Sequence, residues 1–364
     1  MEALPIVSAL HRSVRTGLVL AVVVCSATPA VSADWGGRLE KGPEWERELR
    51  AEVLADPRPT EGGLVVADAT GTVHSLSRQD GTTLWKASLE GGISGSPYLV
   101  GERLLIGTKA GQIIALDAET GEVGWRTAVE GKVVGSPVAR EGTVYFGTTA
   151  RYLYAVEVET GTIRWRFLTE DYKYGGLFAP PAVDERHIYI GAKNGLLWAL
   201  KRDTGGLAWV GDVRSAVYDA PVRTGPRLVV GAYDRSLHCL DVGDGSVSWR
   251  TELEDWPRGR PLLQAEHVVI GTRTGRLYRI ALAGGRIVWS KRLAKGFRHG
   301  PVKLDGAAAV LGTMDGRILV IALESGEVLD EREVGGPIYA APAVTGAAVF
   351  AVTRGGHVSK WQRG

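Results

Sequence analysis

An eleven-residue stretch, Ala115-Leu-Asp117-Ala-Glu-Thr120-Gly121-Glu-Val-Gly-Trp125, returns along the chain with small changes and constrains the fold more than any other feature. Its Gly and Trp recur as Gly81/Trp85, Gly161/Trp165, Gly205/Trp209, Gly245/Trp249 and Gly285/Trp289, the tryptophans standing 40, 40, 44, 40 and 40 residues apart. A fixed period of this size points to a solenoid or a propeller. A second landmark precedes each Trp: Pro57, Pro97, Pro137, Pro181, Pro221, Pro261, Pro301 and Pro342. Eight prolines predict eight units. Within a unit the pattern reads strand, turn, strand ending in a small residue such as Gly107 or Gly147, turn, strand, Asp-x-x-Thr-Gly turn, and a last strand carrying Trp. Ile113 to Leu116, Leu153 to Val156 and Leu196 to Leu200 are short apolar runs bounded by turn residues, as strands buried between stacked sheets would be. Four strands in about 40 residues is one blade of a β-propeller.

The ends of the chain complement each other. The eighth unit, Pro342 to Trp361, supplies three strands and lacks the one that carries Trp. That strand is found at the other end, where Pro43-Glu-Trp45-Glu-Arg-Glu-Leu49 lies 40 residues before Trp85. An outer strand lent by the N-terminus would complete the last blade and remove two exposed sheet edges at once. The fold expected is therefore all-β: an eight-bladed β-propeller of four-stranded blades, closed by this N-terminal strand. The 49 glycines suit so many tight turns. Lys plus Arg exceed Asp plus Glu by only two, which gives no support to a uniformly basic nucleic-acid-binding surface.

Residues 1–33 read as an export signal, with Arg12 and Arg15 before an apolar core from about Leu18 to Val24 and small residues Val31 and Ala33 suited to cleavage before Asp34. The apolar run is short for a bilayer span, so a removed peptide is expected ahead of a retained anchor. Cys25 would be the acyl acceptor of a lipoprotein signal, but Val22-Val-Val24 precedes it where a small residue is wanted, which disfavours lipidation. Residues 34–364 then form a single propeller domain, exported to the periplasm or cell envelope and expected to be a monomer. Its one cysteine, Cys239, takes the position of Ala115, Ala155 and Ala199, which predicts a small buried filler and no intramolecular disulfide.

The repeat motif has a structural role of its own. Asp117 can accept hydrogen bonds from amides of its own turn, Gly121 can take a positive φ, and Trp125 can lie flat between neighbouring sheets. Trp45, Trp85, Trp125, Trp165, Trp209, Trp249 and Trp289 are thus expected to dock blade on blade. In the unit around Leu329, Gly326 is kept but Asp330 stands where Trp belongs, and that interface is expected to be the weakest of the ring.

Ala-x-Asp-x-x-Thr-Gly-x-x-x-Trp, carried by residues 115–125 and echoed around the chain, resembles the tryptophan-docking repeat of the quinoprotein, or PQQ-like, propeller superfamily over about residues 43–361. The resemblance speaks for the fold, because these residues build blades and bind no cofactor. It implies two branches: quinoprotein dehydrogenases, and non-catalytic propellers similar to the outer-membrane assembly factor BamB. A compact exported chain resembles the second more closely. The dehydrogenase branch would need a stacking platform for pyrroloquinoline quinone, cations for its carboxylates, a calcium held by oxygen ligands, and a carboxylate base. Here the units are minimal, the only shared expansion is four residues within Glu170–Phe178, and no adjacent Cys pair is present. The expectation is a non-enzymatic scaffold with no bound cofactor or metal, whose partners are proteins, including an outer-membrane β-barrel assembly complex; a quinone- or small-ligand-binding propeller is the alternative. His74, His187, His238, His267 and His357 fall at regular strand positions or turns and read as packing or surface residues rather than ligands.

Residues just before each repeat proline join an outer strand to the next innermost one, so all should approach one mouth of the central channel. Early units place Ser94-Gly-Ser96 and Val134-Gly-Ser136 there. Later units carry Phe178, Tyr218-Asp219, Trp256 with Arg258 and Arg260, Phe297-Arg298-His299, and Tyr339. Such an arc of aromatic and cationic residues would suit an acidic or extended peptide, or an anionic ligand.

Overall fold

The computed structural model describes residues 38–169, 175–346 and 348–363. The export signal, Cys25 and residues 170–174 of the expected expansion lie outside the described residues. The chain forms eight four-stranded antiparallel sheets, the blades of a propeller ring. A typical blade runs from Tyr98–Val100 through Arg103–Thr108 and Gln112–Asp117 to Val123–Ala128.

Side chains on a strand point alternately to its two faces, and both faces of a blade are covered by neighbours. Leu104, Ile106, Ile114 and Leu116 pack with Val65, Val73 and Ile93 of the preceding blade. Leu105, Ile113 and Ala115 pack with Val144, Phe146 and Tyr154 of the following one. The middle strands must therefore be apolar without interruption, which is the pattern the sequence carries. Each fully buried Leu, Ile or Val contributes about 1.5–3 kcal/mol. Cys239 lies in such a cluster, and burial pushes its thiol pKa up to about 11.

The outer strand needs a different device. Ala115 pairs with Trp125 but Leu116 pairs with Val123, so Gly124 is an extra residue in a bulge just before the Trp. Trp125 then lies over Gly161 of the next blade, where an added Cβ would come within 2.6 Å of the indole, and its Nε1–H donates to the Val158 carbonyl at 2.8 Å. Trp45, Trp85, Trp165, Trp209, Trp249 and Trp289 donate in the same way to the carbonyls of Arg78, Ala118, Arg202, Val242, Leu282 and Glu324. In the turn itself the Asp117 carboxylate accepts from the Glu119 and Thr120 amides at 3.0 and 2.8 Å, and Gly121 sits at a φ of 76°.

The ring closes as the sequence predicts. Trp45–Glu48 is the outer strand of the last blade, with Trp45 opposite Lys360 and Glu48 opposite His357. At the interface that lacks a Trp, the half-buried Asp330 carboxylate accepts the Leu39 amide at 2.5 Å and an Arg332 N–H at 2.6 Å, while Arg332 also donates to the Leu39 and Glu40 carbonyls. The incoming N-terminal segment offers an N–H here, so an accepting carboxylate replaces the donating indole. A polar latch stands between the last two blades at the place where a tryptophan docks in the others.

An aromatic and cationic face around a central channel

Each segment entering a blade obeys a fixed register relative to the unit proline. Four residues before it stand Val53, Ile93, Val133, Leu177, Val217, Pro257, Phe297 and Ile338, all buried. They pack against the glycine ending the second strand: a Cβ on Gly107 would meet Val133 at 2.2 Å, and one on Gly271 would meet Phe297 at 2.8 Å. Phe297 is therefore not a residue of the mouth. Its side chain fills the core between blades among Val269, Leu277 and Leu311, and the uninterrupted apolar column to which it belongs gives the reason.

One residue later the column reads Leu54, Ser94, Val134, Phe178, Tyr218, Arg258, Arg298 and Tyr339, and none of these is fully buried. The turn between the second and third strands reaches the same face, because its amide donates to the carbonyl of the incoming segment. Tyr233 N–H bonds to Ala216, Arg273 N–H to Trp256 and Arg354 N–H to Pro337, at 3.0, 2.9 and 2.7 Å. These bonds bring Tyr233, Arg273 and Arg354 to the arc, although the sequence reading missed all three. Their signal was the place two residues after the end-of-strand position, as in Gly231-Ala-Tyr233, Gly271-Thr-Arg273 and Val352-Thr-Arg354.

The side chains form two contiguous clusters. Phe178 meets Tyr218 edge-on at 5.9 Å, Tyr218 lies 4.7 Å from Tyr233, and Tyr233 stacks on Trp256 at 5.0 Å with planes 8° apart. The Arg258 guanidinium sits 5.0 Å from the Tyr233 ring and donates to its hydroxyl, and Arg273 covers Trp256 at 4.9 Å. Further round, Arg298 and Arg354 flank the Tyr339 ring at 5.0 and 5.1 Å. Aromatic faces hold the guanidinium groups by cation–π attraction. Arg273 and Arg354 are also paired with Asp255 and Glu52, at 3.2 and 2.7 Å, whereas Arg258 and Arg298 have no carboxylate partner among the described residues.

Phe178, Tyr218, Asp219, Arg260, Arg298, His299 and Tyr339 line a central channel of about 1040 Å³. Trp256 and Arg258 do not line it; they belong to the row on the face beside it. Two channel carboxylates are already paired, Glu185 with Arg140 and Asp184 with Arg223, each at 2.8 Å. Burial opposes ionisation of Asp184, yet the amides of Arg186 and His187, the Tyr189 hydroxyl and Arg223 hold its pKa below the ordinary value. Asp219 differs: burial pushes its pKa up to about 6 against the opposing pull of the Gly259 amide, Arg258 and Arg298. Burial also lowers the pKa of His299, whose Nδ1 faces the Gly300 carbonyl at 2.8 Å.

No group of three or more His, Cys, Asp or Glu side chains able to hold a metal occurs among the described residues. His74 and His238 are each buried against an aspartate, Asp68 and Asp234, at 3.1 and 3.0 Å. Asp184 and Glu185 of the channel are committed to arginines, which leaves Asp56 and Asp219 as its other carboxylates among the described residues.

The sequence model describing the outer membrane protein assembly factor BamB matches residues 38–90, 69–178, 169–278 and 273–362. The chain belongs to the BamB family. Among solved structures, BamB from Moraxella catarrhalis is 21% identical, with a TM-score of 0.75 over 88% of this chain and 99% of that one. The quinohemoprotein alcohol dehydrogenase from Comamonas testosteroni is 16% identical, with a TM-score of 0.74 over 89% and 76% of the two chains. A computationally designed protein, Ika8, reaches 0.76 at 16% identity over 88% and 100%. At such identities a fold shared by an assembly factor, a dehydrogenase and a designed protein carries no function with it. No protein of curated function matches the sequence significantly.

Proposed function

We propose that this BamB-family propeller is a non-catalytic scaffold of the cell envelope that binds a protein partner in outer-membrane protein assembly. The observation that carries the reading is the row from Phe178 to Tyr339. It departs from the repeat at positions free of packing duty, and it gathers aromatic rings and arginines of the kind that dominate protein interfaces. The partner segment is acidic or extended, its carboxylates meeting Arg258 and Arg298, the two arginines of the face without a carboxylate partner among the described residues. Rigid blades hold these side chains in place before binding, which lowers the ordering cost of association.

The test is capture of an outer-membrane β-barrel insertase by crosslinking, with wild type against a triple alanine variant at Arg258, Arg298 and Tyr339. Capture by wild type and its loss in the variant support the reading; capture unchanged in the variant sinks the site. A parallel incubation with pyrroloquinoline quinone and calcium, followed by dye reduction with alcohols or sugars, tests the enzymatic alternative. Turnover there would overturn the scaffold assignment.

A further inference from the structure

The position immediately before each unit proline shows a division of labour inside the channel. Asp56 accepts the Ala341 amide at 2.7 Å, Ser96 accepts the Asp56 amide at 2.9 Å, and Ser136 accepts the Ser96 amide at 2.8 Å. Each polar side chain of this column thus stitches one unit to its neighbour. The later members are Pro180, Ala220, Arg260, Gly300 and Ala341. Arg260 is the one polar side chain among them, and no stitch uses it. It makes no hydrogen bond or ion pair among the described residues. It is exposed to the channel it lines, and partial desolvation by the walls lowers its pKa.

The rest of the lining leaves the same sign of charge uncompensated. Arg140 and Arg223 are neutralised by Glu185 and Asp184, and Arg58 is turned to the Pro97 carbonyl at 3.1 Å. Arg298 stacks on the face of Tyr339, Lys303 adds a further cation to the lining, and Asp56 and Asp219 are its remaining acids. A guanidinium cannot shed its proton at neutral pH, so an unpaired one facing the channel presents a standing positive charge to an anionic ligand. The backbone nearby is drawn tight: Gly259, at a φ of 74°, lies so close to Gly300 that a Cβ would fall 1.8 Å from the Gly300 amide nitrogen. That contact seats Arg260 beside the segment that carries Arg298.

We propose that the channel holds a small multivalent oxyanion, a di- or tricarboxylate or a phosphate, at Arg260 and Arg298. Both guanidinium groups present planar N–H forks, and such forks bind carboxylate and phosphate oxygens in pairs. The site shares Arg298 with the face proposed to bind a partner, and Arg260, which that reading does not use, tests it separately.

Isothermal titration of the folded protein with citrate and, separately, with inorganic phosphate tests it. The two probes distinguish a carboxylate from a phosphate ligand. Wild type is expected to bind one anion per chain with an affinity that weakens as sodium chloride is raised. Arg260→Gln and Arg298→Gln are each expected to lower that affinity at least tenfold, and thermal unfolding reports whether each variant is folded. Should one variant fail to fold, the other carries the test. No binding of either anion at millimolar concentration, or equal binding by wild type and a folded variant, overturns the proposal.

Discussion

The two halves of the channel rim spend the same repeat positions on different tasks. Around Asp56, Ser96 and Ser136 the side chains are small or short, and their oxygens are consumed in bonds to the next unit. Two residues earlier in the repeat, where the first half has Leu54, Ser94 and Val134, the second half carries Phe178, Tyr218, Arg258, Arg298 and Tyr339, rings and guanidinium groups that contact one another or line the channel. The half that stitches is close to the bare repeat; the half that does not has been free to diverge. A repeat protein can vary only where the next repeat does not need the side chain. The column four residues before each proline shows the converse, since it stays apolar through both halves.

The largest effect should separate two adjacent residues. Phe297→Ala empties a packed site and is expected to cost about 3–5 kcal/mol in urea unfolding, whereas Arg298→Ala should fall within about 0.5 kcal/mol. Equal costs would erase the distinction between core column and face column. Next comes Asp219, whose carboxyl titrates near the ordinary 3.8 when unfolded and about 6 when folded. The folded state therefore keeps the proton longer, and this group's contribution is most favourable below pH 3.8 and declines as pH rises to about 6. Asp219→Asn is expected to match wild type below about pH 4 and to exceed it by about 1–2 kcal/mol at pH 7. A variant less stable than wild type at pH 7 would contradict the burial account. On the stitched half, Ser96→Ala should cost about 1 kcal/mol and leave partner capture intact.

The number of blades, their strand order and the seam were all legible in the sequence, because each follows from spacing. Gly121 and Trp125 recur at fixed intervals, and a missing fourth strand at one end matched a spare strand at the other. The site was legible only in part. Phe297 was assigned to the mouth because proximity to Pro301 was read without register; one residue of offset turns a side chain from the face into the core. Tyr233, Arg273 and Arg354 were missed because they lie on another turn, joined to the arc by backbone bonds that no side-chain pattern announces. Asp330 illustrates a third case. The loss of Trp was visible, but the latch to Leu39 and Arg332 depends on where the chain begins its last crossing. Amide exchange measures what that latch is worth: amides of Val328–Glu333 are expected to exchange faster than those of Val123–Ala128, and equal protection would show that it matches a tryptophan interface.

Site-specific photo-crosslinking tests the central claim most directly. A photoreactive residue placed at Arg298 or Tyr339 is expected to crosslink to an envelope β-barrel assembly partner, while the same residue at Ser94 or Val134, in equivalent repeat positions on the opposite half, is expected to give no adduct. Equal adducts from both halves, or adducts from Ser94 and Val134 alone, would contradict the assignment of the aromatic and cationic row as the binding face.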